Sequence, residues 1–215
     1  QASLGHEGRH AVHRIGMVQA VEEAGMDAAT VLLVGVPLLP ARGIEGLAFH
    51  RHHGLDGQAV LQGKGEVALI VGEFDFLAGS IGVGAAKRII SAFERATLLG
   101  LPVLAAPVSG GTRMQEGTLA FLQMVGITGA VMAHKKAGLP YLVYLRNPTT
   151  GGVFASWGSL GHVTVAEPGA LIGFLGPRVY EALHGTKFPE GVQQAENLYR
   201  HGLLDAVLAP EKLSD

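Results

Sequence analysis

The chain has 215 residues, with 16 Lys plus Arg against 18 Asp plus Glu and a formal net charge of -2. That balance lacks the basic excess of a general DNA or RNA binder. A hydrophobic content of 48% with only 16% charged residues excludes long-range disorder and supplies a sizeable core. The cysteine count is 0, which excludes disulfides, thiolate zinc sites and a cysteine nucleophile and fits a reducing compartment.

No membrane or export signal stands out. The longest apolar stretch, Ala28 to Ala41, is interrupted by Gly35, Pro37 and Pro40, and a spanning helix needs roughly 20 residues. The start, Gln1-Ala-Ser-Leu-Gly-His6, lacks a basic region leading into an apolar run. A cytoplasmic protein is expected. The first residue is not Met, as expected of a trimmed or excised piece.

The first 60 residues form a segment apart, of uncertain structure. They hold His6, His10, His13, His50, His52 and His53. Arg14 to Ala29 reads as a helix. Thr30 to Leu39 is β-branched and apolar until two prolines break it. The histidine clusters lack carboxylates at ligand spacing, so solvated or interface roles are expected rather than a metal site.

A regular pattern starts near Glu66. Three apolar strands appear at Val67–Val71, Pro102–Val108 and Pro140–Leu145. Their centres lie roughly 35 to 39 residues apart, room for a strand, a turn and a helix each. Each strand runs into a glycine-bearing turn: Phe76–Gly84, Ser109–Gly117 and Asn147–Phe154. A helical pattern is expected after each turn. Ile89, Ile90, Phe93, Thr97 and Leu98 share one stripe, and Met114, Thr118, Phe121, Leu122 and Val125 share another. Further short strands are expected at His162–Ala166 and Ala206–Leu208, with a helix over Val192–His201. Strands apolar on both sides and separated by helices imply a largely parallel sheet covered by helices. The repeat fits a doubly wound sheet or a climbing spiral, and periodicity does not choose between them.

At such strand–helix junctions, free backbone N–H groups and the positive end of the helix dipole converge. Gly110-Gly111 and Gly151-Gly152 fall there, and a glycine pair lets backbone approach an anion or a developing oxyanion. Tight turns with a capping box at Thr112-Arg-Met-Gln115 explain the same residues structurally. No phosphate-loop motif occurs. Gly79-Ser-Ile-Gly82-Val-Gly84 fails the dinucleotide spacing, and no G-x-S-x-G elbow is present. The turns carry no His, Cys or Lys. Glu116 reads as a favourable charge at a helix start, and His134-Lys-Lys136 as charges complementing a helix end. Trp157, Phe154 and Phe174 read as core.

Read together, Ser109-Gly-Gly-Thr-Arg-Met-Gln-Glu-Gly117 and Pro148-Thr-Thr-Gly-Gly-Val-Phe-Ala-Ser156 closely resemble the carboxyltransferase β subunit of bacterial acetyl-CoA carboxylase. Gly161–Pro168, Ile172–Val179, Pro189-Glu-Gly191 and Ala195–Asp205 add to the match, which covers roughly 70% of the chain, from Glu66 onward. The wording is most similar to fused actinobacterial carboxyltransferases, in which β-like and α-like halves share one chain. The resemblance implies an α/β, crotonase-like spiral of ββα units over residues 61–215, as a single domain with a variable N-terminal segment. It implies transfer of the carboxyl group of carboxybiotin, held on a biotin carboxyl carrier protein, to the α-carbon of an acyl-CoA, acetyl-CoA giving malonyl-CoA. Biotin itself would take the α-proton.

On the same analogy, Gly151 and Gly152 would hold the enolate oxyanion, and Gly110 and Gly111 would shape that pocket. Ser109, Arg113 and Thr150, with Gly79 and Gly82 at the CoA entrance, would bind the acyl-CoA. The biotin-side oxyanion site belongs to the α-like half. An α-type partner and a homo- or hetero-oligomer are therefore expected. The family's four-cysteine zinc ribbon cannot form without cysteine, so neither zinc nor nucleic acid is expected to bind. The first 60 residues carry no matching motif. A malonyl-thioester decarboxylase β subunit and a non-catalytic acyl-CoA-binding or assembly subunit are the alternatives.

Overall fold

The apolar runs are strands of one parallel sheet, buried on both faces. The computed structural model describes residues 28–34 and 67–213. Its strands are β1 (Ala28–Val34), β2 (Val67–Gly72), β3 (Val103–Ala106), β4 (Tyr141–Leu145), β6 (Val163–Ala166) and β8 (Ala206–Val207), side by side in that order. All their pairings are parallel. Ala68, Ile70, Val103, Ala105, Tyr141 and Val143 point to one side of the sheet. Leu69, Val71, Ala106 and Tyr144 point to the other. This period-2 alternation between two apolar environments is why the strands read as continuous hydrophobic runs.

Parallel neighbours need crossovers. Helix α1 (Val83–Leu99) links β2 to β3, and α2 (Gly117–Lys136) links β3 to β4. Ile89 and Phe93 of α1, with Ile127 and Val131 of α2, are fully buried in the larger core. Between each long strand and its helix lies a short second-layer strand. Ile81 bridges Thr112, Ser109 bridges Thr149, and β5 (Thr149–Thr150) pairs with β7 (Ile172–Gly173), all in parallel. Strand, short strand, helix is the ββα unit. Stacking these units gives the climbing spiral rather than the doubly wound sheet.

The elements depart from the sequence reading in several places. The sheet strand at 103–106 is shorter than Pro102–Val108, and the next backbone pairing, Ser109 with Thr149, already belongs to the second layer. No α-helix follows the third turn, only a 3-10 turn at Trp157–Ser159. Two short helices close the chain, α3 (Pro177–His184) and α4 (Ala195–Arg200). The first is absent from the sequence reading and the second is shorter than Val192–His201. Ala28 and Ala29 are strand, not helix. The rest of Arg14–Ala29, residues 35–39 and the six N-terminal histidines lie outside the described residues. No Thr112 capping box forms, since the chain makes a 3-10 turn at Met114–Glu116 before α2 begins. Trp157 is buried and Phe154 packs on the core, but Phe174 is exposed.

The largest reversal concerns α2. Its buried residues are Ala120, Met124, Ile127, Val131 and His134. Met114, Phe121, Leu122 and Val125, the stripe read as core-facing, point to solvent.

His134 is no surface partner of the helix dipole. It is fully buried, its Nε2 lies 3.1 Å from the Pro140 carbonyl, and its Nδ1 lies 2.9 Å from the Thr97 hydroxyl. A carbonyl oxygen only accepts, so Nε2 carries the proton of the neutral ring. Burial pulls the pKa below its ordinary value, as loss of solvation disfavours the cation. The neighbouring Lys135 Nζ donates to the Leu160 carbonyl at 2.8 Å.

Candidate functional site

The three glycine-bearing turns meet beyond the carboxyl ends of β2, β3 and β4. Ser109 joins them. It is buried, and its hydroxyl donates to the Gly79 carbonyl at 2.7 Å and accepts from the Gly111 N–H at 3.0 Å. Its own N–H donates to the Pro148 carbonyl at 2.7 Å, and its carbonyl accepts from the Thr150 N–H at 2.9 Å. Ser109 is therefore a hub that fixes the relative positions of the turns.

The first turn is under backbone strain. Leu77 and Ala78 have φ of 51° and 53°, and Gly79 follows at 62°. Two successive non-glycine residues in the left-handed region are costly and persist where surroundings enforce them. Here the Ala78 carbonyl accepts from the Gly110 N–H at 2.9 Å. At Gly79, an added Cβ would lie 2.2 Å from the Val108 carbonyl oxygen. Only glycine satisfies both the conformation and the space.

Arg113 and Glu116 are committed to the fold. The guanidinium donates to the Ser80 hydroxyl and carbonyl at 3.2 and 2.9 Å, and pairs with Glu116 Oε1 at 3.2 Å. The other carboxylate oxygen accepts from the Val83 N–H at 2.7 Å. Glu116 thus caps the amino end of α1, across 33 residues of sequence, rather than the start of its own helix. Gly82 makes room for that carboxylate, which an added Cβ would meet at 2.2 Å. Neither side chain is a free acid or base.

The two glycine pairs lie directly against each other. A Cβ on Gly151 would come 3.3 Å from Gly111 Cα, so side chains there would push the turns apart. Three of the four glycine N–H groups are already used: Gly110 on Ala78, Gly111 on Ser109, and Gly151 on the Gly173 carbonyl at 2.9 Å. The fourth differs. The Gly151 carbonyl accepts from the Ala155 N–H at 3.1 Å. The N–H of the same peptide unit, that of Gly152, must point the opposite way. The next unit repeats this, with the Gly152 carbonyl held by the Ser156 hydroxyl. Among the described residues, the N–H groups of Gly152 and Val153 have no acceptor. The Phe154 N–H is likewise without an acceptor, and Ala155 and Ser156 set the orientation of the Gly152 and Val153 N–H groups of this nest. Residues Val153 and Ser156 were not singled out in the sequence, and the spacing Gly-Gly-x-x-x-Ser is the signal that carries them. Since no α-helix follows Gly152, the nest acts through its N–H groups without the dipole of a long helix.

The profile of the carboxyl transferase domain family matches residues 44–207. The chain belongs to this family. The match begins before Glu66, so part of the N-terminal segment belongs to it although no motif marks it. A probable biotin-dependent acyl-coenzyme A carboxylase beta3 subunit of Mycobacterium tuberculosis is 62% identical over 185 residues, covering 84% of this chain and 37% of that protein. An acetyl-coenzyme A carboxylase carboxyl transferase subunit beta of Brucella anthropi is 47% identical over 167 residues, covering 75% of this chain and 55% of that protein. The chain therefore spans between about a third and about half the length of these relatives. Among solved structures, a chain of the Pseudomonas malonate decarboxylase hetero-dimer superposes with a TM-score of 0.60 at 26% identity, covering 66% of this chain and 64% of its own. Transcarboxylase 12S shares the fold at a TM-score of 0.59 and 23% identity, over 66% of this chain and 28% of its own. The ββα spiral is the carboxyltransferase, crotonase-like fold.

Proposed function

We propose that this chain is the β-type half of a biotin-dependent acyl-CoA carboxyltransferase, accepting acetyl-CoA or another short acyl-CoA. The observation that carries the reading is the pair of N–H groups on Gly152 and Val153 left without an acceptor among the described residues, beside Arg113 and Glu116 side chains that are committed to the fold. Such a site suits charge that develops on a carbonyl oxygen. The thioester oxygen accepts from the Gly152 N–H, with Val153 N–H as second donor. As the α-carbon loses its proton, negative charge moves onto that oxygen and both hydrogen bonds strengthen. One such preorganised donor contributes roughly 100- to 1,000-fold in rate. Gly110, Gly111, Ser109 and Thr150 keep the nest in place, while Arg113 and Glu116 brace the Gly79–Gly82 loop at the entrance. Carboxybiotin, brought by a carrier protein, supplies the carboxyl group. Among the described residues no side chain stands ready to remove the proton, and in this proposal biotin itself would take it.

The likeness to a malonate decarboxylase chain supports a second reading, the same pocket serving loss of a carboxyl group from a malonyl thioester. Transfer between malonyl-CoA and carrier-bound biotin, assayed with an α-type subunit present, separates the two. The expected result is carboxyl transfer that requires the biotinylated carrier. Carbon dioxide release from malonyl thioester at full rate without biotin would favour the decarboxylase.

A further inference from the structure

Gly173, at the end of β7, is a glycine for a reason of space. Its backbone is not left-handed. An added Cβ there would lie 2.3 Å from Gln193 Cδ and 2.4 Å from Gln193 Nε2. The Gln193 amide thus occupies the place a side chain of residue 173 would take. Gln193 also ties the residues on either side of that glycine. Its carbonyl accepts from the Ile172 N–H at 2.8 Å, and its Nε2 donates to the Leu175 carbonyl at 2.7 Å. One residue therefore grips Gly173 from this side. On the other side the Gly173 carbonyl accepts from the Gly151 N–H at 2.9 Å, and the next N–H along the chain is that of Gly152.

The Leu175 carbonyl decides which end of the Gln193 amide is which, because a flipped amide would set two oxygens against each other. The other end is then Oε1, and it is buried with no hydrogen-bond partner among the described residues. A buried acceptor left unpaired is destabilising. Glutamine gains one bond here and forfeits another, so fold stability alone gives no reason to prefer it to an apolar side chain of equal length. What only the amide supplies is the N–H donor that ties Leu175 across Gly173.

We propose that Gln193 is a positioning residue for the oxyanion donors. By clamping Gly173 it sets the carbonyl that holds the Gly151 N–H, and through that turn it sets the aim of the Gly152 N–H. The proposal rests on the carboxyltransferase reading above. Gln193 acts on the reacting oxygen only through Gly173 and Gly151. A donor aimed at developing charge matters more in the transition state than in the bound substrate, so misaiming it lowers kcat and leaves KM nearly unchanged.

The test compares the full chain with Gln193→Met, Gly173→Ala and the double variant. Methionine keeps the length and removes the donor. The alanine methyl expels the amide from Gly173, which the free end of a flexible side chain allows. Melting temperatures verify that each variant is folded. Two readouts are taken: the amide resonances and hydrogen exchange of Gly151 and Gly152 in the chain alone, and steady-state carboxyl transfer to acetyl-CoA with an α-type subunit and a biotinylated carrier. Each single variant is expected to shift both amide signals, to speed exchange at Gly151, and to lower kcat about 10-fold with KM within about twofold. The double variant is expected to be no worse than the poorer single one, because both changes break the same contact. Unmoved Gly151 and Gly152 amides, an unchanged kcat, a raised KM at constant kcat, or losses that multiply in the double variant would each overturn the proposal. Shifted amides in a chain whose parent transfers no carboxyl group would fail the carboxyltransferase reading and uphold the clamp on Gly151.

Discussion

Replacing Gly152 with valine is expected to lower kcat/KM for carboxyl transfer by about 100-fold or more, while the melting temperature changes little. The backbone at Gly152 needs no left-handed conformation, and an added Cβ meets only side-chain atoms, Thr112 Cγ2 at 3.1 Å and Met124 Cγ at 3.3 Å. Shifts of a few tenths of an ångström in the Thr112 and Met124 side chains accommodate the Cβ, and the melting temperature checks that the two further methyls leave the fold intact. The branched side chain is expected to crowd the turn that carries the Gly152 and Val153 N–H groups and to disturb the seat of the thioester oxygen. Loss of one oxyanion donor alone costs roughly 100- to 1,000-fold. Gly152→Ala, adding one methyl, is expected to lose less. Steady-state transfer with the α-type subunit and the biotinylated carrier gives the answer. Turnover within about twofold of the parent would remove the nest from the mechanism.

The second large effect is on stability. Gly79→Ala places a Cβ 2.2 Å from the Val108 carbonyl oxygen at a φ of +62°. The left-handed conformation alone costs about 1 to 3 kcal/mol for a non-glycine residue. The clash is with backbone, which gives only if the β3 turn and Ser109 move. A total of at least about 3 kcal/mol follows, or roughly 6 to 12 °C in Tm for a chain of this size. Gly84→Ala is the internal comparison. It lies in the first turn of α1 with nothing within 4 Å of the added atom, and is expected to be neutral or stabilising by about 0.5 kcal/mol. Thermal melts of the two variants side by side test this. Equal melting temperatures would contradict the packing described at Gly79.

Much of the frame was legible because it depends on local pattern. The run Val67-Ala-Leu-Ile-Val71 is apolar at every position because both faces of β2 are buried, and the glycine pairs stand where two turns touch. What was not legible depends on distance or on the outside. The cap on α1 comes from Glu116, far along the chain from Val83, and no window of sequence joins them. The orientation of α2 was misread because a helix apolar on every side gives periodicity no polar face to set against the core. Helix α3 is eight residues long and mixed in character, too short to show a period. Choosing between a doubly wound sheet and a spiral needed the single bridges Ile81–Thr112 and Ser109–Thr149, which no hydrophobic run announces. Within the site, the sequence picked out four glycines and left Gly151 and Gly152 together as the oxyanion pair. The hydrogen bonds separate them, with three N–H groups spent on the fold and that of Gly152 left for a ligand.

The most direct measurement is the amide resonance of Gly152 in glycine-labelled protein, followed while acetyl-CoA is titrated in the presence of an α-type subunit. The account predicts a saturable downfield proton shift at Gly152, accompanied by Val153 in uniformly labelled protein, with Gly110, Gly111 and Gly151 moving little. Saturable acetyl-CoA binding that leaves the Gly152 amide unmoved would contradict it.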